Sequence, residues 1–276
     1  MVPMTQDLAS LEPLLACPEC RGAVRCSDEA VVCVACHTRF PIQDGIPLFA
    51  RIGSPIETGA QQPGETSEAY QRRYQQDERA AKYNAMYRDS WAKTLSTRRE
   101  ARLLDRLLES QGHSRTLLDL PCGGGRVSAP LARHTDLLLE ADIGLGQVRY
   151  ARQNGRVPTK QIWMTASGFE IPLHDAAADG TVCVRLNHHL PTAVERERLV
   201  RELLRVSRRF VVMTFFDYDS LKNRLRRLRG KRPKLTMRVE ELRELAQSCG
   251  AVLVTCPALF VIGSGHRYAL MVKQPT

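Results

Sequence analysis

The sequence predicts an α/β protein: a seven-stranded, mostly parallel sheet whose last strand is antiparallel, preceded by a small cysteine-rich unit. Three observations predict it. From residue 115 onward, short apolar runs alternate with amphipathic helical stretches, the pattern of a parallel sheet covered on both faces. The last two apolar runs are separated by "GSG" with no helix, so they must pair antiparallel. The first forty residues hold two Cys-x-x-Cys pairs, Cys17/Cys20 and Cys33/Cys36, and nothing downstream repeats them. A chain of 276 residues accommodates one α/β domain and a small extra module.

The elements follow in order. Residues 1–50 form the first unit. Between the cysteine pairs, "RGAVRCSDEAVV" places a Ser27-Asp28-Glu29 turn between β-prone runs, as a hairpin would. Residues 51–69, rich in Gly, Pro, Ser and Gln, read as a linker to a domain spanning 70–276. Residues 70–94 read as helical. Tyr83, Tyr87 and Trp91 then share one face, either as core packing or as a lid over a ligand. Thr97 is expected to cap the next helix, with Glu100 at the capping-box position and Leu103, Leu104, Leu107 and Leu108 on the inner face. Strands are then expected at "TLLDL", "DLLLEAD", "QIWMT", "ADGTVCVRL" and "RRFVVMTFF", with helices at about 126–134, 145–154 and 193–207. A helix at 238–249 and the strand pair "AVLVTCPALFVI" and "HRYALMVKQ" complete the sheet.

Composition narrows the function. A hydrophobic fraction of 43% suits a globular protein, and no apolar run is long enough to cross a bilayer. The N-terminus has no basic region followed by an apolar stretch, so a cytoplasmic protein is expected. Of nine cysteines, five lie in the first forty residues and the others stand singly, which fits a metal site and buried thiols in a reducing compartment. The net charge of +10 is local: residues 222–234, "KNRLRRLRGKRPK", hold eight Lys or Arg and no acid. Leu221, Leu225 and Leu228 are spaced helically through it. Such a basic amphipathic segment suits RNA phosphates, an anionic membrane surface, an acidic substrate or plain solvent. It has no interleaved aromatics to stack bases.

Two Cys-x-x-Cys turns brought together by a hairpin offer four thiolates to one tetrahedral metal, so Cys17, Cys20, Cys33 and Cys36 are the expected structural Zn²⁺ ligands. Cys26 sits mid-hairpin and His37 adjoins a better ligand; neither is assigned. "LLDLPCGGGRV" sets Asp119 at a strand end and Gly123, Gly124 and Gly125 at the start of a helix, where bare backbone and free N–H groups approach a ligand. The dinucleotide fingerprint fails, because Ser128 stands where its last glycine would be. Asp142, ending the second strand, is placed to accept from ribose hydroxyls. "RLNHHLP" follows the fourth strand at the ligand-binding edge, so His188 and His189 are candidate general bases, with loop packing as the plainer role.

Two resemblances sharpen this. "CPEC…CVAC…FPIQDGIPLF", over about Leu14–Ala50, resembles the zinc ribbon of the small activator subunit of tRNA and protein methyltransferases. "DLPCGGG" and "ADIGLGQVRYAR" resemble the first two motifs of class I S-adenosylmethionine (SAM) methyltransferases, over roughly residues 70–276. The second resemblance implies a Rossmann-like fold and a cofactor site at Asp119, Pro121, Cys122, Gly123, Gly125, Asp142, Ile143, Ala166, Ser167 and Asn187. Two departures stand out. Pro121 replaces the first loop glycine, and Thr165 stands near the position of an aspartate that bonds the adenine amine, leaving Ser167 or the backbone around Gly168 and Phe169 for that role. The amino-methylating signature is absent, since Asn187 is followed by His-His. The expected function is methyl transfer to an acceptor, a small molecule slightly before RNA. The alternative is a non-catalytic scaffold holding RNA or a partner, for which Thr165 is the best support.

Overall fold

The computed structural model describes residues 8–50, 91–231, 236–260 and 264–274. The expected linker, Tyr83, Tyr87 and residues 232–234 of the basic stretch lie outside these.

The N-terminal unit is a four-stranded antiparallel sheet in chain order: β1 (Val24–Cys26), β2 (Ala30–Cys33), β3 (Arg39–Gln43) and β4 (Ile46–Pro47). The Ser27–Glu29 turn joins β1 to β2 as expected. Asp44 and Gly45, both at positive φ (54° and 74°), make the tight turn from β3 to β4, a conformation that Asp-Gly supplies at low cost.

The larger sheet holds β5 (Ser114–Asp119), β6 (Thr135–Asp142), β7 (Lys160–Thr165), β8 (Ala178–Cys183), β9 (Ser207–Phe216), β10 (Ala251–Thr255) and β11 (His266–Lys273). Its order is β10-β11-β9-β8-β5-β6-β7, and β11 alone runs antiparallel to its neighbours. The helices are α1 (Trp91–Glu109), α2 (Ser128–Ala132), α3 (Leu145–Asn154), α4 (Ala193–Val206), α5 (Leu221–Leu228) and α6 (Val239–Ser248). At α4 the Thr192 side chain accepts from the Glu195 N–H while Glu195 accepts from the Thr192 N–H, a reciprocal cap. Among the described residues, no helix is long and apolar enough to cross a membrane.

One expectation is corrected. No helix starts at Thr97, because α1 runs through it without a break. Nothing between Trp91 and Glu109 interrupts a helix, and Glu100 has stronger partners than a backbone N–H. It is wholly buried, ion-paired with Arg126 and Arg185, and accepts from the Tyr268 hydroxyl. Leu104, Leu107 and Leu108 do face inward, each worth about 1.5–3 kcal/mol of burial.

The two sheets share one core. Leu11, Leu15, Val31, Phe40 and Phe49 of the N-terminal unit belong to the same buried cluster as Leu118, Leu139, Ile162, Ile171 and Leu203. Polar ties reinforce it. Arg21 pairs with Glu202 at 2.9 Å and donates to the Ile171 carbonyl at 3.0 Å. The Ala16 N–H donates to the Pro172 carbonyl, and the His174 N–H to that of Leu14.

Candidate active site

The site lies where the strand order reverses, between β5 and β8, outside the carboxyl ends of the parallel strands, the usual ligand crevice of such sheets. Pro121 follows Leu120 through a cis peptide and leads into the glycine turn. Cys122 donates its N–H to the Ala141 carbonyl at 2.8 Å and buries its side chain with Ile46, Val148, Ala151 and Trp163, its Sγ 3.6 Å from the Gly123 carbonyl oxygen. Gly123 and Gly125 take φ of +52° and +77°. A Cβ on Gly125 would lie 3.0 Å from the Gly155 Cα, so no larger residue fits. A Cβ on Gly123 would meet nothing within 4 Å: the turn faces open space.

Asp142 closes the turn from β6. One carboxylate oxygen accepts from the Gly123 N–H at 3.0 Å and the other from the Gly144 N–H at 2.9 Å. Burial raises its pKa to about 6, against the lowering effect of these backbone donors. Ile143, next to it, is half-buried. Asp119 is fully buried and, among the described residues, neither of its oxygens has a hydrogen-bond partner. Burial first, then the charges of Glu140 and Asp142, push its pKa well up. A buried carboxylate without a donor beside two further acids is the environment that a cationic ligand stabilises.

Beyond β7, Ala166 donates its N–H to the Asp142 carbonyl at 3.0 Å, and the Ser167 hydroxyl accepts from the Phe169 N–H at 3.2 Å. Thr165 has a different partner. Its hydroxyl accepts from the Ala50 N–H at 3.2 Å, so the ribbon's exit strand occupies the end of β7. After β8, Arg185 takes a left-handed backbone (φ 68°), held by its N–H to the Thr214 hydroxyl at 2.7 Å. Asn187–His189 form a single 3₁₀ turn. Asn187 is buried, and its amide nitrogen has no hydrogen-bond partner among the described residues. The His188 ring lies 4.2 Å from His189, 4.4 Å from Phe216 and 5.1 Å from His266, centroid to centroid.

Residues 118–212 match a family model described as a methyltransferase domain. That match spans about a third of the chain. Solved structures agree in fold. The magnesium protoporphyrin IX methyltransferase of Synechocystis PCC 6803, crystallised with S-adenosylhomocysteine (SAH), superposes at a TM-score of 0.62 and 15% identity, covering 76% of this chain and 100% of that one. A complex of the Haloferax volcanii Trm112 methyltransferase activator and its methyltransferase gives 0.56 at 13% identity, covering 74% and 98%. The N-methyltransferase NodS of Bradyrhizobium japonicum gives 0.53 at 14%, covering 65% and 97%. No curated protein matches the chain in sequence.

Asp119, the glycine turn, Asp142, Ala166, Ser167 and Asn187 all lie at or just beyond the carboxyl ends of the parallel strands. His266 escaped the sequence reading. Its signal was available: a final antiparallel strand begins at the edge where the parallel strands end, and His266 pairs with Phe216 in register. Glu100 was assigned to a cap and is instead the hub that ties α1 to Arg126, the residue after the glycine turn.

In the N-terminal unit, the Sγ atoms of Cys17, Cys20, Cys33 and Cys36 all lie within 4.8 Å of one another. Cys17–Cys36 is 3.7 Å and Cys20–Cys33 is 3.4 Å, near the ~3.8 Å that four Zn–S bonds of ~2.3 Å would set in a tetrahedron. Cys26 and His37 stay out of the cluster, as expected. Burial pushes the Cys17 thiol up to about 12, while the Thr38 hydroxyl and N–H draw Cys36 down to about 6. Four thiolates so close need a cation to coexist.

Proposed function

We propose that the chain transfers a methyl group from SAM to a small-molecule acceptor bound at the His188, His189, His266 and Phe216 rim, and that Zn²⁺ holds the four-cysteine ribbon. The observation that carries the cofactor assignment is the unpartnered carboxylate of Asp119 beneath an open glycine turn. The cofactor brings both an ammonium and a sulfonium, which match that buried negative site. Asp142 is placed to accept from the ribose hydroxyls, Gly123 and Gly125 to let the backbone approach, and Ala166 and Ser167 to flank the base. Asn187 offers its free amide to the amino-acid end.

SAM supplies an activated methyl group, and displacement is in line. The chain's part is alignment, where orientation alone is worth roughly 7–11 kcal/mol. With SAM leaving as SAH, an acceptor O–H or N–H that takes the methyl group would release a proton. His188, His189 and His266 stand at the mouth to take it.

The scaffold alternative rested on Thr165 in place of a carboxylate. Its bond to Ala50 gives that threonine a structural duty, which weakens the case for a degenerate site. The test is incubation of the metallated protein with methyl-labelled SAM and a fractionated cell extract. Label in the small-molecule or lipid fraction is expected. Label in RNA would give the second acceptor class, which the basic stretch favours. Absence of label together with a flat calorimetric trace against SAH would remove the enzyme reading of this site.

A further inference from the structure

We propose that α5 is an interfacial helix that docks the protein on an anionic lipid bilayer, beside the rim of the methyltransferase site.

In α5 the usual orientation of an amphipathic helix is inverted. Asn223 is its buried residue, its amide donating to the Asp217 carbonyl at 2.7 Å. Arg227 folds back on the body, donating to the Tyr218 carbonyl at 2.6 Å with its guanidinium 3.8 Å from the Tyr218 ring centroid. These contacts fix which face points inward. At about 100° per residue, Leu221, Leu225 and Leu228 fall within about 60° of one another on the opposite side. They are 49%, 41% and 83% exposed. The apolar stripe therefore faces solvent, with Leu228 mostly exposed and Leu221 and Leu225 about half exposed.

Charge identifies the occupant. Lys222 and Arg229 flank the stripe on one side and Arg224 on the other, the last 3.8 Å from Asp219. Basic residues edging an exposed leucine ridge match a surface that offers phosphates at its plane and hydrocarbon beneath it. Nucleic acid would use the charges and leave the leucines in water, and residues 221–229 contain no aromatic to stack on bases. The helix is seated firmly: Ser220 caps it, and β9, which ends at Phe216 against His188, leads into it. Docking α5 would bring the histidine rim close to the bilayer, whatever the acceptor is.

The test is co-sedimentation of the full, metallated chain with vesicles of phosphatidylcholine containing about one-third phosphatidylglycerol, and with phosphatidylcholine alone. Binding is expected to the anionic vesicles and to weaken at about 0.5 M salt. Changing Leu221, Leu225 and Leu228 together to Ser should lower it at least about tenfold. The melting temperature should fall by only a few degrees, because these side chains are about half or more exposed and the rest of the cost is helix propensity. Replacing Arg224 and Arg229 by Gln should cost about fivefold each. The proposal is overturned by failure of the unmodified chain to sediment with anionic vesicles, or by full binding of the triple serine variant. It is also overturned if the leucines hold a concentration-dependent dimer, or if bulk RNA binds through α5 equally well with and without them.

Discussion

Ile46 of the N-terminal unit and Cys122 of the glycine turn lie in one small buried cluster, closed by Val148, Ala151 and Trp163. The Asp44-Gly45 turn just before Ile46 is fastened to α3: the Asp44 carboxylate pairs with Arg149 at 2.5 Å, and its carbonyl accepts from Arg152. The ribbon therefore props the turn from behind. Ile46→Ala should cost about 2–5 kcal/mol of stability, through lost burial and a cavity. It should also weaken SAH binding, because Cys122 then loses one wall of its packing and only Val148, Ala151 and Trp163 hold it. Leu253→Ala, in β10 at the far edge of the sheet, is the control. It should lower stability and leave the calorimetric affinity for SAH unchanged.

The purified chain should carry about one equivalent of metal, measurable by elemental analysis. Since ribbon and catalytic sheet share a core, chelation or Cys33→Ser should lower the single melting transition rather than release a ribbon that melts separately. Two well-separated calorimetric transitions in the metallated protein would count against this coupling.

Local signals carried the fold. Apolar strands, the glycine turn and the cysteine spacing each sit within a few residues, so the seven-stranded sheet and the four-thiol cluster were legible from the chain alone. What was not legible depends on partners far away in sequence. Glu100 looked like a cap because its partners Arg126, Arg185 and Tyr268 lie up to 168 residues onward. Thr165 looked like a lost adenine contact because Ala50, 115 residues earlier, is its partner. His266 looked like the start of a strand until the register placed it beside Phe216.

Glu100→Gln tests the hub on α1. It leaves Arg126 and Arg185, each about one-fifth exposed, without their shared counter-charge. Breaking a buried ion pair in this way typically costs about 3–5 kcal/mol, to be read from urea denaturation. A loss below about 1 kcal/mol would mean that the three groups are effectively solvated.

The two positive-φ glycines should respond differently. Gly125→Ala forces a Cβ to 3.0 Å from the Gly155 Cα and 3.2 Å from the Ser128 hydroxyl, so stability and SAH affinity should fall together. Gly123→Ala meets only open space and a left-handed backbone, a cost of about 1–2 kcal/mol. Its affinity loss should exceed that, because the added methyl projects where the cofactor is expected. Melting curves and calorimetry on the pair distinguish packing from ligand contact.

Cofactor binding should depend on pH through Asp142. Burial holds its carboxyl at about 6, above the ordinary aspartate value. Above pH 7 it is ionised and can accept from two ribose hydroxyls while keeping its bonds to Gly123 and Gly144. Those hydroxyls favour the charged form, so binding lowers the pKa, and ligand and proton compete. SAH affinity should be flat from pH 7 to 8 and fall below pH 6, by up to about tenfold per unit. Asp142→Asn, which cannot ionise, should bind more weakly at pH 7.5 and lose that slope. An affinity that rises on acidification, or an equal slope in the variant, would place the titrating group elsewhere, with Asp119 the next to examine.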